Sequence, residues 1–249
     1  MENYKANSFD TDYAKAWSIN EGGFSSQVAT NLVKMQQKGK MKFSSCLDIL
    51  CGTGEYLNIM AKNGIKVAGT EIAPSMREVA QKAVPSADIY LTPNIQDFKV
   101  KGKFDLITCN HDCVNFMEKF SDWEKFFSNA YASLNKGGYL VFDFYTKKKL
   151  QDWVEIRHEE TSNMDYIKDI KPGIDNKCIM KEIYYIRENG DTYTKTFDIL
   201  VESYFENEEI FKAVKNAKFK EIYATDIEFN ELSKPELEHR NRIHVIAVK

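Results

Sequence analysis

Apolar residues recur along this chain with two different periods, and the periods alternate. Between residues 8 and 40, Tyr13, Trp17, Phe24, Val28, Leu32, Val33 and Met35 return at helical intervals, with Gly22-Gly23 dividing the run into two helices. An apolar strand follows at Cys46-Leu47-Asp48-Ile49-Leu50, then a glycine turn and a helix over 55–61 whose apolar face is Tyr56, Leu57, Ile59 and Met60. Gly64 ends that helix. The pattern predicts a strand over 65–71, a helix over 75–83, and strands over 87–91 and 104–110. A helix starting near Ser121-Asp122, where either side chain can cap, runs to Leu134. Asn135-Lys136-Gly137-Gly138 reads as a turn before a strand over 139–144. Strands alternating with helices, joined by right-handed crossovers, predict a parallel, doubly wound α/β sheet.

The alternation stops between Trp153 and Tyr204. Residues 177–185 and 191–204 are rich in β-branched and aromatic residues, and Arg187-Glu188-Asn189-Gly190-Asp191 between them is a hairpin turn of the Asn-Gly kind. These two strands predict an antiparallel insertion. A helix over 207–216 and strands over 219–225 and 242–249 complete the chain. The expected division is a core over 1–149, an insertion over 150–205, and a return to the core over 206–249.

The chemistry concentrates in the first glycine turn. Gly52 and Gly54 lack the Cβ atoms that would hold a ligand off the backbone, and they tolerate positive φ where strand turns into helix. The first turn of the next helix aims free N–H groups at that point. The following strand ends in Glu71, whose carboxylate can accept two hydrogen bonds from a ribose diol. Together these indicate an adenosine-containing cofactor. A nicotinamide dinucleotide is the natural competitor, but its G-x-G-x-x-G spacing needs a third glycine, and Leu57 stands at that place.

On Asp48, Cys51-Gly52-Thr53-Gly54 and Glu71, the chain resembles the class I S-adenosylmethionine-dependent methyltransferases. The resemblance covers roughly residues 9–146 and 206–249. It implies a Rossmann-like, mostly parallel seven-stranded sheet whose last hairpin makes one strand antiparallel, with the β insertion after the fifth strand, over 150–205, as a substrate lid or dimer surface. It also implies that Glu71 holds the ribose, and that Ile72-Ala73-Pro74-Ser75-Met76 packs an apolar side chain on the adenine before a helix starts. Asn94 and Ile95 stand where the family meets the adenine amino group and ring, with Asp97 as an alternative acceptor. Asn110, His111, Asp112 and Asn115 fall at the end of the fourth strand, near the sulfonium and its methyl group. His111 and Asp112 are therefore the candidate catalytic residues, although capping or core packing would equally account for them. Tyr13 and Trp17 resemble aromatic positions that close over the cofactor. The chain departs from the family at Leu50, where a glycine or alanine is usual, and its bulk would shift the turn or narrow the cofactor pocket.

The implied reaction is transfer of a methyl group from S-adenosylmethionine to nitrogen or oxygen of a small-molecule acceptor. The tyrosines of the insertion, Tyr184, Tyr185, Tyr193 and Tyr204, alternate in part with polar residues, so some should face a pocket or a partner chain. The alternatives are a protein that binds S-adenosylmethionine or S-adenosylhomocysteine without methyl transfer, supported by Leu50, and a nicotinamide dinucleotide-binding protein.

Composition narrows the picture further. A chain of 249 residues can build one full core with an insertion. Its formal net charge of −3, with no basic stripe, offers no footprint for nucleic acid. Lys147-Lys148-Lys149 reads as a solvated helix start. Five cysteines without paired spacing read as reduced thiols, and no run approaches the ~18 apolar residues of a membrane span, so a cytoplasmic monomer or homodimer is expected. Four widely separated histidines predict no metal requirement.

Overall fold

A computed structural model describes residues 11–20, 22–190 and 192–249. Two helices, α1 (Thr11–Asn20) and α2 (Gly22–Gln37), precede the alternating part. There β1 (Ser45–Ile49), α3 (Glu55–Lys62), β2 (Lys66–Glu71), α4 (Pro74–Ala83) and β3 (Asp88–Leu91) form one half. The other half is β4 (Phe104–Cys109), a 3-10 turn at Cys113–Phe116, α5 (Phe120–Ser133) and β5 (Leu134–Tyr145). After α6 (Lys147–Leu150) come four strands, β6 (Glu155–Glu160), β7 (Met164–Pro172), β8 (Lys177–Arg187) and β9 (Tyr193–Ser203). The chain closes with α7 (Asn207–Asn216), β10 (Glu221–Thr225), α8 (Lys234–His239) and β11 (Arg242–Val248).

The larger sheet has seven strands in the order β10-β11-β5-β4-β1-β2-β3. Strands β5, β4, β1, β2 and β3 run parallel, while β11 is antiparallel to both β5 and β10. This is the doubly wound fold that the alternation predicted. Its strands bury both faces, because successive side chains point to opposite sides. Leu47, Ile107, Leu140 and Phe142 pack with Trp123, Phe126 and Phe127 of α5 and Val214 of α7. Cys46, Leu106, Val141 and Ile246 pack with Leu32 of α2 and Leu57 and Met60 of α3 on the other side.

Several local expectations change. Strand β5 leaves α5 without a separate turn: Gly137 takes φ +75° and its N–H bonds the Lys249 carbonyl, so Asn135–Gly138 is a bulged entry to the strand. Helix α5 is capped by the extended backbone of Lys119, not by Ser121 or Asp122, which lie in its first turn. The insertion holds four antiparallel strands in the order β6-β7-β8-β9, where the sequence indicated two. Strand β6 is an almost entirely charged, exposed edge, and its lone apolar residue, Ile156, faces solvent. That left nothing periodic to recognise. Charges along such an edge also discourage pairing with another chain. Helix α8, with a Ser233–Glu236 capping box and Pro235 near its start, was likewise not expected.

Candidate active site

The chain runs from β1 outward to β2 and β3 and returns to lay β4 against the other side of β1. Strand carboxyl ends at such a reversal leave a crevice, the usual ligand site of an open α/β sheet. Here the crevice is a cavity of about 420 Å³, covered by α1 on one side and by the four-stranded sheet above.

The floor is the glycine turn. Gly52 has φ +56°, and its N–H donates to Glu71 Oε2 at 2.9 Å. The other oxygen, Glu71 Oε1, accepts the N–H groups of Ile72 (2.7 Å) and Ala73 (3.1 Å). Glu71 therefore clamps the end of β1 to the start of α4. Three of the about four acceptor sites of a carboxylate are used, which leaves room for one further donor where the sequence suggested two. Asp48 accepts a hydrogen bond from Thr108 Oγ1 at 2.6 Å. Burial pushes both carboxyls, Asp48 and Glu71, up to about 7. Asn110 is buried on the lining beside Asp48, whose ionised form its amide favours, and neither its amide nitrogen nor its amide oxygen meets a partner in full hydrogen-bonding geometry. Such incompletely bonded groups are costly unless a ligand completes them.

Leu50 also lies on the lining, at φ +57°. A left-handed backbone costs a side chain with a Cβ about 1–2 kcal/mol. Position 50 is therefore one where glycine would be free of strain. Gly54 plays a different part from the one expected: a Cβ there would lie 3.1 Å from Cα of Ala80, so its bareness lets α4 pack against the turn, and it is absent from the lining.

Tyr13, Trp17, Asp48, Leu50, Cys51, Gly52, Glu71, Ile72, Met76, Asn110, His111 and Asp112 are brought together around the cavity, as expected of a single site. Asn94, Ile95 and Asp97 are not. Asn94 Oδ1 accepts the backbone N–H of Asp97, Asp97 pairs with Lys125, and Ile95 is buried in the α5 core. Asn115 ties backbone instead of facing the cavity, donating to the carbonyls of Tyr145 and Ser203.

At the end of β4, His111 (φ +63°) and Asp112 (φ +51°) are consecutive left-handed residues. Their N–H groups both donate to the Asp143 carboxylate, at 2.6 and 3.0 Å. Arg242 from β11 pairs with Asp143 at 2.6 Å and with Asp112. Although burial alone would raise it, the Asp112 carboxyl is held below its ordinary range by this guanidinium. The His111 ring packs against Trp17 (5.6 Å between centroids) and Phe24 (4.9 Å).

The roof was missed from the sequence. Lys168 of β7, Met180 and Glu182 of β8, and Leu200 and Glu202 of β9 line the cavity. Glu182 accepts hydrogen bonds from Tyr13 (2.7 Å), Tyr166 (2.9 Å) and Tyr184 (3.2 Å), and pairs with Lys168 at 2.9 Å. Burial opposes ionisation there, but Lys168 and the tyrosine donors outweigh it and hold the carboxyl below its usual range. Burial, then Asp112, pushes Glu202 well above that range. One signal was available: Met164, Tyr166, Lys168 and Ile170 share one face of β7, so a charge sits within an apolar alternation. Of the tyrosines singled out, Tyr184 is fully buried beside Tyr13, whereas Tyr193 is exposed. Among the described residues no group of three or more His, Cys, Asp or Glu side chains could hold a metal, and no helix is long and apolar enough to cross a membrane.

Residues 23–170 match the family model of a methyltransferase domain, and the chain belongs to that family. It is a class I S-adenosylmethionine-dependent methyltransferase, so the nicotinamide alternative falls away. A putative methyltransferase of Bacillus subtilis is 24% identical over 190 residues, 74% of this chain and 75% of the relative. A dTDP-4-amino-2,3,4,6-tetradeoxy-D-glucose N,N-dimethyltransferase of Saccharopolyspora spinosa is 32% identical over 127 residues, 51% of this chain and about half (47%) of the relative. The crystal structure of an S-adenosylmethionine-dependent methyltransferase from Clostridium acetobutylicum superposes with a TM-score of 0.82 at 19% identity, covering 95% of this chain and 98% of that one.

Three outcomes follow from this geometry. Leu50→Ala keeps the left-handed backbone strained, whereas Leu50→Gly releases it. After glycine's extra chain entropy, the glycine variant should be the more stable by about 0.5–1 kcal/mol in urea denaturation. Arg242→Met strips Asp112 and Asp143 of their cation and should cost about 3–5 kcal/mol in the same measurement. The raised Asp48 and Glu71 carboxyls keep protons in the folded chain that the unfolded chain releases above about pH 4. Their stabilisation is complete below that pH and is lost as pH rises through about 7. Relative to Asp48→Asn, the unaltered chain should lose stability between about pH 4 and about pH 7, read from urea midpoints.

Proposed function

We propose that this methyltransferase moves a methyl group from S-adenosylmethionine to nitrogen or oxygen of a small-molecule acceptor held beneath the four-stranded sheet. One observation carries the proposal. The same cavity is lined at its floor by the glycine turn, Glu71 and Asn110, and at its roof by Lys168, Met180, Glu182, Leu200 and Glu202. Its volume suits small molecules. The amino-sugar dimethyltransferase among the relatives supports an acceptor of that size.

The residues fit the cofactor. Glu71 keeps one free acceptor site for a ribose hydroxyl, and Ile72 and Met76 offer apolar surface for the adenine. The incompletely bonded Asn110 amide, with Asp48, Leu50, Cys51 and Gly52, serves the amino-acid end. Tyr13 and Trp17, stacked with ring centroids 6.1 Å apart, close over the site from α1. When bound, S-adenosylmethionine supplies a methyl group already activated on a sulfonium. The protein's work is to align the acceptor and exclude water, effects that can reach ~7–11 kcal/mol. Residues 150–205 act as the substrate lid in this reading.

Glu71→Ala should weaken S-adenosylmethionine and S-adenosylhomocysteine by at least about tenfold in isothermal titration, the loss of one charge-assisted hydrogen bond. Unchanged affinity would refute the ribose assignment.

A further inference from the structure

Six carboxyl side chains line the cavity among the described residues, against a single lysine, Lys168. Five of them are met by donors or cations: Glu55 by Ser26, Asp48 by Thr108, Glu71 by three backbone N–H groups, Glu182 by Lys168 and three tyrosines, and Asp112 by Arg242. Glu202 is different. Its side chain is 1% exposed and shares a hydrogen bond with Asp112, but its Oε2 receives none. The strand that carries it is fixed in place, because the neighbouring Ser203 carbonyl accepts from Asn115 at 2.9 Å. A buried carboxyl oxygen without a donor, on the wall of a ligand cavity, is a vacancy for a donor that the ligand brings.

We propose that Glu202, backed by Asp112, is the binding site and proton acceptor for a primary or secondary amine on the methyl acceptor. This rests on the cavity being the methyltransferase site. An amine is favoured over a hydroxyl by charge. The Asp112, Asp143 and Arg242 cluster already carries one net negative charge, and an ionised Glu202 would add a second, because the two cations that act on it, Lys168 and Arg242, are already paired with Glu182 and with Asp112 and Asp143. A bound ammonium offsets it, and so does the nitrogen that turns cationic as it gains a methyl group. An O-methylated product carries no such charge.

The protons balance over a cycle. The acceptor enters as an ammonium, and the proton it displaces from Glu202 leaves to water. The ammonium then passes one of its own protons to the Glu202 carboxylate, which frees the nitrogen lone pair. The nitrogen–methyl bond forms as the methyl–sulfur bond breaks, and that bond's electron pair stays on sulfur and neutralises it. The product departs as the methylated ammonium, and Glu202 is left protonated, as it began. One proton is released to solvent per turnover.

The test uses the full chain loaded with S-adenosylhomocysteine and two matched probe pairs, cyclohexylamine with cyclohexanol and glucosamine with glucose, followed by ligand-observed NMR and calorimetry. The amines should bind at least tenfold more tightly than their hydroxyl partners. Calorimetry in two buffers of different ionisation heat should show a proton released as cyclohexylamine binds. Glu202→Gln should lower amine affinity at least tenfold while S-adenosylhomocysteine affinity stays unchanged. Equal binding of amines and alcohols, no amine binding, no proton release, or full amine affinity in Glu202→Gln would each overturn the proposal. The pairwise comparison and proton count on the unaltered chain decide it even if the variant does not fold. Failure of the unaltered chain to bind S-adenosylhomocysteine would instead refute the reading of the cavity.

Discussion

The arrangement of this site depends on one buried guanidinium. Arg242 begins β11, the strand that runs against the direction of its neighbours, and from there it reaches Asp143 on β5 and Asp112 beyond the end of β4. Asp143 in turn accepts the backbone N–H groups of His111 and Asp112. Two consecutive residues with Cβ atoms at positive φ cost of order 1–3 kcal/mol each, and such conformations persist where surrounding interactions over-determine them. The Arg242–Asp143 pair supplies that constraint. It explains why an antiparallel strand is useful beside β5: its first residue comes alongside the carboxyl ends of the parallel strands, where a cation is needed. Phe24 and Tyr145 flank the guanidinium at 4.5 and 4.0 Å from their ring centroids, which shields the charges and strengthens their interaction.

A second buried charge joins the parts that cover the cavity. Glu182 takes Tyr13 from α1, Tyr166 and Lys168 from β7, and Tyr184 from its own strand. An exposed pair, Lys15 with Glu188, links α1 to the turn that follows β8. The first helix is thus tied to the insertion by side chains more than 160 residues apart in the chain. The pocket has walls because of this link, since the parallel sheet by itself offers only a floor.

The floor was legible in the sequence, whereas the walls were not. Gly52 and Glu71 could be placed because strand, turn and helix follow one another locally, and hydrophobic period and glycine position encode that order directly. Leu50 stood out for its bulk, and the structure adds the backbone reason, a left-handed φ that favours glycine. Asn94, Ile95 and Asp97 could not be placed. An amide and a carboxyl in a loop can turn either toward a ligand or toward their own neighbours, and here the Asn94 amide bonds the Asp97 backbone while the Asp97 carboxyl pairs with Asn94 and Lys125. Arg242 and Asp143 meet across 99 residues of separation, and no local pattern marks such a pair. Lys168, Glu182 and Glu202 were hidden for another reason: a charged residue in a strand reads as solvent-facing until its neighbours two positions away are seen to be buried.

The Lys168–Glu182 pair has a consequence for folding that is separate from ligand chemistry. Strand β8 is paired on both sides, with Glu182 opposite Lys168 on β7 and Asp198 on β9. Because strand side chains alternate, a slip of β8 by one residue would turn Glu182 outward and set either Lys181 or Ile183 against Lys168 beneath the sheet. The first alternative buries two like charges side by side, and the second leaves a lysine without its carboxylate. Three tyrosine hydroxyls would lose their acceptor in either case. The misaligned hairpin is thus penalised by electrostatics as well as by lost apolar contact, and the carboxylate that lines the cavity also fixes the alignment of the sheet above it.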